Sequence, residues 1–529
     1  MSPYLRKVRT ASGATAVQVV DKSGGRRTIL AHLGSAHDEA ELAALMEIGR
    51  ARLAPGQQSL DLESLASPAE AGPVALAGRR RCELLWEVLT SAWRDLGLDE
   101  AVGGDEGFKQ MVLARLVEPT SKADTIRVIS ELGVEAVSIR TLFRSLARCQ
   151  ERGWRAAIQA ALHSHVTRLG DLSLLLYDVT TLYFEAERED GLRRVGFSKE
   201  RRVDPQVIVG MLTDRTGFPL QVGCWEGNKA ETRTIIPMVQ GFLDAHQVDA
   251  SEVVVVADAG MLSADNLAAL DEAGLGFIVG SKTTKAPWDL AEHIETFGNG
   301  FTDGQVIEAR TPRRRRAPAR TKNNDGGSRR FVPPPWDPQD DPRTWRVVWH
   351  YSAKRFARDN AALTAQRNKA LAVVAGEASA RRPRFVKGSK ADLAVDEDAY
   401  QRAYNAAGLR GYITNLTARR MSADEVVSSY RALWHIEQTW RMSKHDLRAR
   451  PVFHHQVDSI EAHLTMVMAS LALARHLQDA TGMSIKKIIH ALKPLQSVEV
   501  TIVGHTITAQ PQLTPEATEI ITSIGLPGH

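Results

Sequence analysis

Cysteine is scarce in this chain: three residues in 529, Cys82, Cys149 and Cys224, far apart and with no CxxC pair. That spacing excludes a disulfide framework and a cysteine zinc site, and it agrees with a reducing cytoplasm. Long apolar runs are lacking too. The longest, "LTMVMASLALA", lies between His463 and Arg475; it is too short to span a bilayer and reads as a buried helix. The opening "MSPYLRKVRTASG" has no apolar stretch, so no signal peptide is expected. Net charge is only +4, so the overall field says little about partners. No GxxxxGK[ST] loop is present, which argues against a P-loop ATPase, and no internal repeat is visible.

What is present is a chain 43% hydrophobic, enough for sizeable cores, and long enough for several domains or one domain with large insertions. Residues 1–80 read as a β-hairpin around "DKSGG", a helix over 38–53 and a linker. Residues 81–165 read as helices, with Ser138 as a cap and Arg144 and Arg148 exposed, either a plain bundle or a DNA-binding helix-turn-helix. From 166 the texture changes to apolar strands with hairpin turns, then alternating helices and strands, which predicts a mixed α/β sheet over 166–285 and 405–480. Residues 286–404 interrupt that core as an insertion containing a basic loop, and 481–529 are left as a C-terminal tail. The loop carries eight arginines and one lysine between Arg310 and Arg330, against the single acid Asp325. Such a run is a solvated surface or a contact for nucleic-acid phosphates, with Arg313, Arg314, Arg315 and Arg316 at its centre.

Two carboxylates stand out: Asp178 in "LLLYDVTT" and Asp258 in "VVVVADAG", each at the C-terminal end of an almost continuously apolar strand. Ligand sites of α/β sheets favour that edge, and a carboxylate there is costly to desolvate without a partner. A third candidate, Glu437, lies in "YRALWHIEQTWRMSK" on an expected long helix. Tyr430, Glu437 and Lys444 are spaced seven and seven and share one helix face, with Arg441 one turn beyond Glu437. The plain alternative is an exposed helix with a Glu437–Arg441 ion pair, worth only ~0.3–0.5 kcal/mol. Three carboxylates suit hard divalent cations, two Mg²⁺ or Mn²⁺, and such pairs serve phosphoryl transfer. A carboxylate pair alone also serves glycosidases, but the neighbouring Arg441 and Lys444 favour an anionic substrate. Glu461 in "IEAHL" competes with Glu437 for the third position but lacks the Tyr/Lys spacing. Glu226 in "EGN" is either support for the site or a turn acid.

These residues resemble the DDE transposases of bacterial insertion sequences whose third catalytic region is the YREK signature: Tyr, two residues, Arg, three residues, Glu, six residues, Lys. The signature falls on Tyr430, Glu437 and Lys444, with Leu433 in place of the arginine and Arg431 or Arg441 as substitutes for its phosphate contact. "YDVTTLYFE" and "VVADAGMLSADN" are similar to the first and second catalytic regions. "GFSKERRVDPQVIVGMLTDRTGFPL", "EGNKAET", "LRARPVFHHQVDSIEAHL", "LARLVEPTSKADT" and "HLGSAHDEAEL" extend the likeness over most of the chain.

The resemblance implies an RNase H-like core with a β-rich insertion between the second Asp and the Glu, in a bacterial cytoplasmic, nucleoid-associated protein. It implies a dimer on DNA that binds terminal inverted repeats and performs metal-dependent cleavage and strand transfer. Asp178, Asp258 and Glu437 become metal ligands, and Tyr430, Arg431, Arg441 and Lys444 become phosphate contacts. Relatives flip a base onto an aromatic, for which Trp440, Trp345 and Trp349 are the candidates. An RNase H-like nuclease without strand transfer and a catalytically inactive DNA-binding relative are the other readings of the same pattern.

Overall fold

The computed structural model describes residues 3–9, 14–23, 26–36, 80–170, 172–184, 189–196, 204–261, 263–298, 300–313, 344–378, 384–389, 392–450, 452, 456–502 and 505–526, with positions 42, 45, 46, 49 and 53. Contacts group the chain into two compact units, Met1–Val74 and Ala75–His529. The first is an antiparallel meander of β1 (Tyr4–Arg9), β2 (Thr15–Ser23) and β3 (Arg26–Ala36), one strand more than the hairpin expected. Val17 and Val20 are fully buried on β2, the central strand. Most of the expected helix over 38–53 lies outside the described residues.

The second unit opens with the short β4 (Arg80–Arg81) and is organised by an eight-stranded mixed sheet. Its first strands are β5 (Leu174–Tyr183), β6 (Gln206–Thr213) and β7 (Pro219–Glu226), paired antiparallel in sequence. β8 (Val254–Ala257) then pairs parallel to β5, and β9 (Gly276–Ser281) parallel to β8. Three antiparallel strands followed by two parallel ones, in the order β9-β8-β5-β6-β7, form an RNase H-like sheet. Every residue of β6, β8 and β9 is buried, as expected of near-continuous apolar strands with both faces covered.

The interruption over 286–404 does two things. Its strands β10 (Val306–Pro312) and β11 (Thr344–Tyr351) join β14 (Leu409–Thr414) to extend the same sheet beyond β9. Between β11 and β14, the helix Ala353–Val374, the hairpin of β12 (Val386–Ser389) and β13 (Asp392–Val395), and the helix Glu397–Asn405 build a small core of their own around Leu363, Ala370, Phe385 and Ala407.

The N-terminal helices pack on the C-terminal part of the chain. Glu83–Asp95, Glu106–Val117, Ile139–Glu151 and Trp154–Leu169 surround the helix Val457–Thr481. Polar contacts tie these helices together as well: Ser470 donates to the carbonyl of Val112 at 3.3 Å, and Arg155 donates to Thr465 Oγ1 at 3.0 Å. Among the described residues Val457–Thr481 is the one helix long and apolar enough to cross a membrane, and 78% of its apolar window is buried inside the protein. Where a tail was expected, the described residues form the helix Ile485–Leu492, β15 (Ser497–Ile502) paired with β16 (His505–Ala509) and β4, and the helix Pro515–Ile524.

Candidate active site

The pairing of β5 with β8 sets the level of the two aspartates. Tyr177 lies beside Ala257 at the last paired position, so Asp178 and Asp258 leave the two parallel strands at the same height. Asp178 is not at the end of its strand, as its sequence context suggested. β5 runs on to Tyr183 against β6, because "VTTLY" is rich in β-formers and has a full partner strand. Asp178 is half-buried, while Asp258, in the turn after β8, is exposed.

The expected long helix after β14 is in three pieces. Ser422 starts it with a capping box to Glu425, the first helix is Ala423–Arg431, a second runs Leu433–Arg441, and a π-turn covers Met442–Asp446. Tyr430 and Glu437 therefore lie on opposite sides of a break at Ala432, and Lys444 lies in the π-turn. Tyr430 points inward: it is 2% exposed and its hydroxyl donates to Asp258 Oδ1 at 2.8 Å rather than facing a substrate phosphate. Gly280 makes the room, since a Cβ there would fall 2.4 Å from the Tyr430 hydroxyl oxygen. Burial, then the charge of Asp258, pushes the Tyr430 phenol above its ordinary range, so it stays a hydrogen-bond donor.

Asp178 and Glu437 meet in a cavity of about 330 Å³, whose lining includes Thr180, Glu231, Trp440, Arg441, Lys444, His445 and Arg450. Glu437 and Arg441 do not pair: among the described residues neither side chain makes a hydrogen bond or ion pair. The Glu437–Arg441 bridge of an ordinary solvated helix is thus absent, and the carboxylate is left open to the cavity. The competing acid Glu461 is tied to Arg155 by an ion pair. Glu226 is a surface acid, 3.5 Å from Lys229.

The other expected DNA contacts are scattered. Arg431 is exposed and hydrogen-bonds to His350 Nε2 at 3.2 Å, away from the cavity. Arg313 is engaged in the fold, 2.9 Å from Asp271 and stacked 3.6 Å over the Trp345 ring. Arg314, Arg315 and Arg316 lie outside the described residues. Trp345, 5% exposed, is packed between Arg313 and Phe277, and Trp349 is fully buried. Trp440 lines the cavity but is only 5% exposed, its indole N–H buried without a partner. Leu433 fills a core position at 7% exposure, where an arginine would be buried. Of the two arginines expected on the N-terminal helices, Arg148 donates to Asp105 at 2.8 Å and Arg144 is exposed.

Sequence reasoning missed three cavity residues, Glu231, His445 and Arg450, and one cation behind the site. Arg410 on β14 lies 4.8 Å over the Tyr430 ring and 3.4 Å from its hydroxyl, so it backs the Tyr430–Asp258 pair. A lone charge inside the otherwise apolar "LRGYIT" was the available signal.

Hard oxygen donors from β5, from the turn after β8 and from a helix fit Mg²⁺ or Mn²⁺ in chemistry. The observation that carries this fit is a pair of unpartnered carboxylates, Glu231 and Glu437, in one cavity. Among the described residues no three acidic, histidine or cysteine side chains are drawn together into an enclosing group.

The sheet thus carries Asp178 within β5 and Asp258 just after the neighbouring β8, with Glu437 on a helix that follows β14. The family model described as "Transposase DDE domain" matches residues 169–473, more than half of the chain and the whole span from β5 to the Val457–Thr481 helix. The chain belongs to that family: it is a DNA transposase, an enzyme of phosphoryl transfer on DNA, and the family generally uses divalent metals. A similar solved structure is the piggyBac transposase synaptic complex with hairpin DNA, at 10% identity over 78% of this chain and 77% of that one, with a TM-score of 0.37. No curated protein matches the chain.

Proposed function

We propose that this transposase binds the terminal inverted repeats of its element as a homodimer and carries out both cleavage and strand transfer at one site. Asp178, Asp258 and Glu437 hold two Mg²⁺ or Mn²⁺ ions. When bound, these supply Lewis-acid stabilisation of the attacking and leaving oxygens. The supporting observation is the cavity in which Asp178 and the unpaired Glu437 share a wall with Arg441 and Lys444.

The residues divide the work by charge. Arg441 and Lys444, from the end of the signature helix, neutralise and orient the phosphodiester that enters beside Asp178 and Glu437. Arg450, 5.5 Å over the Tyr183 ring, adds a cation from the segment after the π-turn. Tyr430 fixes the rotamer of Asp258 through its hydroxyl, and Arg410 holds Tyr430. The exposed Arg144 contacts DNA phosphates, as do the arginines of the basic stretch 310–330.

The test uses DNA from the flanks of the element, a target plasmid and Mg²⁺, with wild-type, Asp178→Ala and Glu437→Gln proteins. Joined products that vanish in both variants are expected. Cleavage without joining assigns the chain to nucleases, end binding without cleavage to inactive DNA binders, and full activity of Glu437→Gln removes that residue from the site.

A further inference from the structure

The cavity holds one acid for which the signature has no place. Glu231 begins the 3₁₀ turn Glu231–Arg233 that follows β7, and it lines the same wall as Asp178 and Glu437. It is half-buried, yet among the described residues its carboxylate accepts no hydrogen bond and makes no ion pair. The nearby Lys229 turns instead to Glu226, at 3.5 Å. The Glu231 carboxylate thus lies open at the cavity wall, with no partner among the described residues.

The turn is also held in place from the direction of both aspartates. The hydroxyl of Tyr177, the residue before Asp178, donates to Thr234 Oγ1 at 2.7 Å, and Thr234 in turn donates to the Glu231 carbonyl at 2.6 Å. Tyr177 reaches that position because Gly210 lacks a side chain; a Cβ there would lie 2.7 Å from the Tyr177 hydroxyl oxygen. On the other side, Glu231 Oε2 lies 3.8 Å from the Cβ position of Gly260, two residues after Asp258. The Glu231 carboxylate thus shares a cavity wall with Asp178 and lies close to the turn that carries Asp258.

We infer that Glu231 is a fourth carboxylate of the cation site, donating an oxygen to the ions that Asp178, Asp258 and Glu437 hold. The inference rests on the metal-site reading above and adds a ligand to it. Two dications carry four positive charges, and a fourth carboxylate balances what three leave unneutralised before the phosphodiester arrives.

Mn²⁺ binding to the full chain, without DNA, is the test, read by the paramagnetic signal of free Mn²⁺ for wild type, Glu231→Gln and Asp178→Asn. Both variants are expected to bind Mn²⁺ at least tenfold more weakly, with metal-free melting temperatures unchanged. Weakening in Asp178→Asn with wild-type binding in Glu231→Gln overturns the inference and leaves the metal-site reading intact. Wild-type binding in both overturns the two together. Should Glu231→Gln fail to fold, the wild-type chain decides: Fe²⁺ with ascorbate and peroxide cuts the backbone next to metal ligands. A cut within 230–233 supports the assignment, and cuts confined to the neighbourhoods of 178, 258 and 437 refute it.

Discussion

Removing one oxygen atom separates Asp258 from the residue that holds it. Tyr430→Phe keeps the ring in its packing against Tyr412, 4.6 Å between centroids, and deletes the 2.8 Å hydrogen bond to Asp258 Oδ1. A hydrogen bond to a charged group contributes ~1.5–3 kcal/mol. Asp258 is exposed, so water replaces the lost donor, and the expected stability loss is below ~1 kcal/mol. The orientation of the carboxylate is what goes. If the full bond energy was spent on holding one rotamer, the cleavage rate falls ~10–100-fold, at 1.36 kcal/mol per decade. Gly280→Ala reaches the same end by another route, because its Cβ would fall 2.4 Å from the hydroxyl oxygen and displace it. The assay is single-turnover cleavage of a labelled end at saturating protein, with thermal melting alongside. Wild-type cleavage by a folded Tyr430→Phe protein would refute the role given to Tyr430.

Restoring the family arginine is expected to fail: Leu433→Arg places a cation at a position only 7% exposed, costing ~2–4 kcal/mol, and a variant that melts like wild type with higher activity contradicts this. Asp289 gives a pH-dependent stability. Burial raises its carboxyl to about 6, so the folded state keeps a proton that the unfolded state releases, and stability falls as pH climbs from about 4 through 6. Asp289→Asn is therefore expected to raise stability at pH 8 by ~1–2 kcal/mol, roughly 2 °C in melting temperature, and to have little effect at pH 4. An equal shift at both pH values excludes that origin.

The parts of the fold legible in the sequence are those written in continuous apolar runs. "VVVVA" and "QVIVGML", rich in β-branched residues, read as strands buried on both faces, and Asp258 follows the first of them directly. The resemblance to DDE transposases, carried by short motifs along the chain, agrees with the family match over residues 169–473. Side-chain direction was not legible. Tyr430 and Glu437 share a face of an ideal helix, but Tyr430 is buried with its hydroxyl on Asp258, while Glu437 is exposed and lines the cavity with Asp178. Trp345 reads as an available aromatic until the sheet places it under Arg313. Glu231 is hidden for the opposite reason: in "NKAET" it looks like any solvated turn acid, and only the Tyr177–Thr234 chain gives it a fixed place. The end of the chain reads as a tail only if the alternation of "SVEVTI" is passed over: Val498, Val500 and Ile502 fall on one strand face, the pattern of a half-buried strand.

The central claim is that the open carboxylate on the signature helix drives the chemistry. Glu437 is exposed and has no partner among the described residues, so Glu437→Gln should leave melting temperature and DNA affinity unchanged. The direct measurement is joining of a labelled, pre-cleaved element end to plasmid DNA in Mg²⁺ by wild type and Glu437→Gln at equal DNA occupancy. The account predicts a loss of joining of at least ~10³-fold, about 4 kcal/mol of transition-state stabilisation, in a fully folded protein. Joining at the wild-type rate would contradict it.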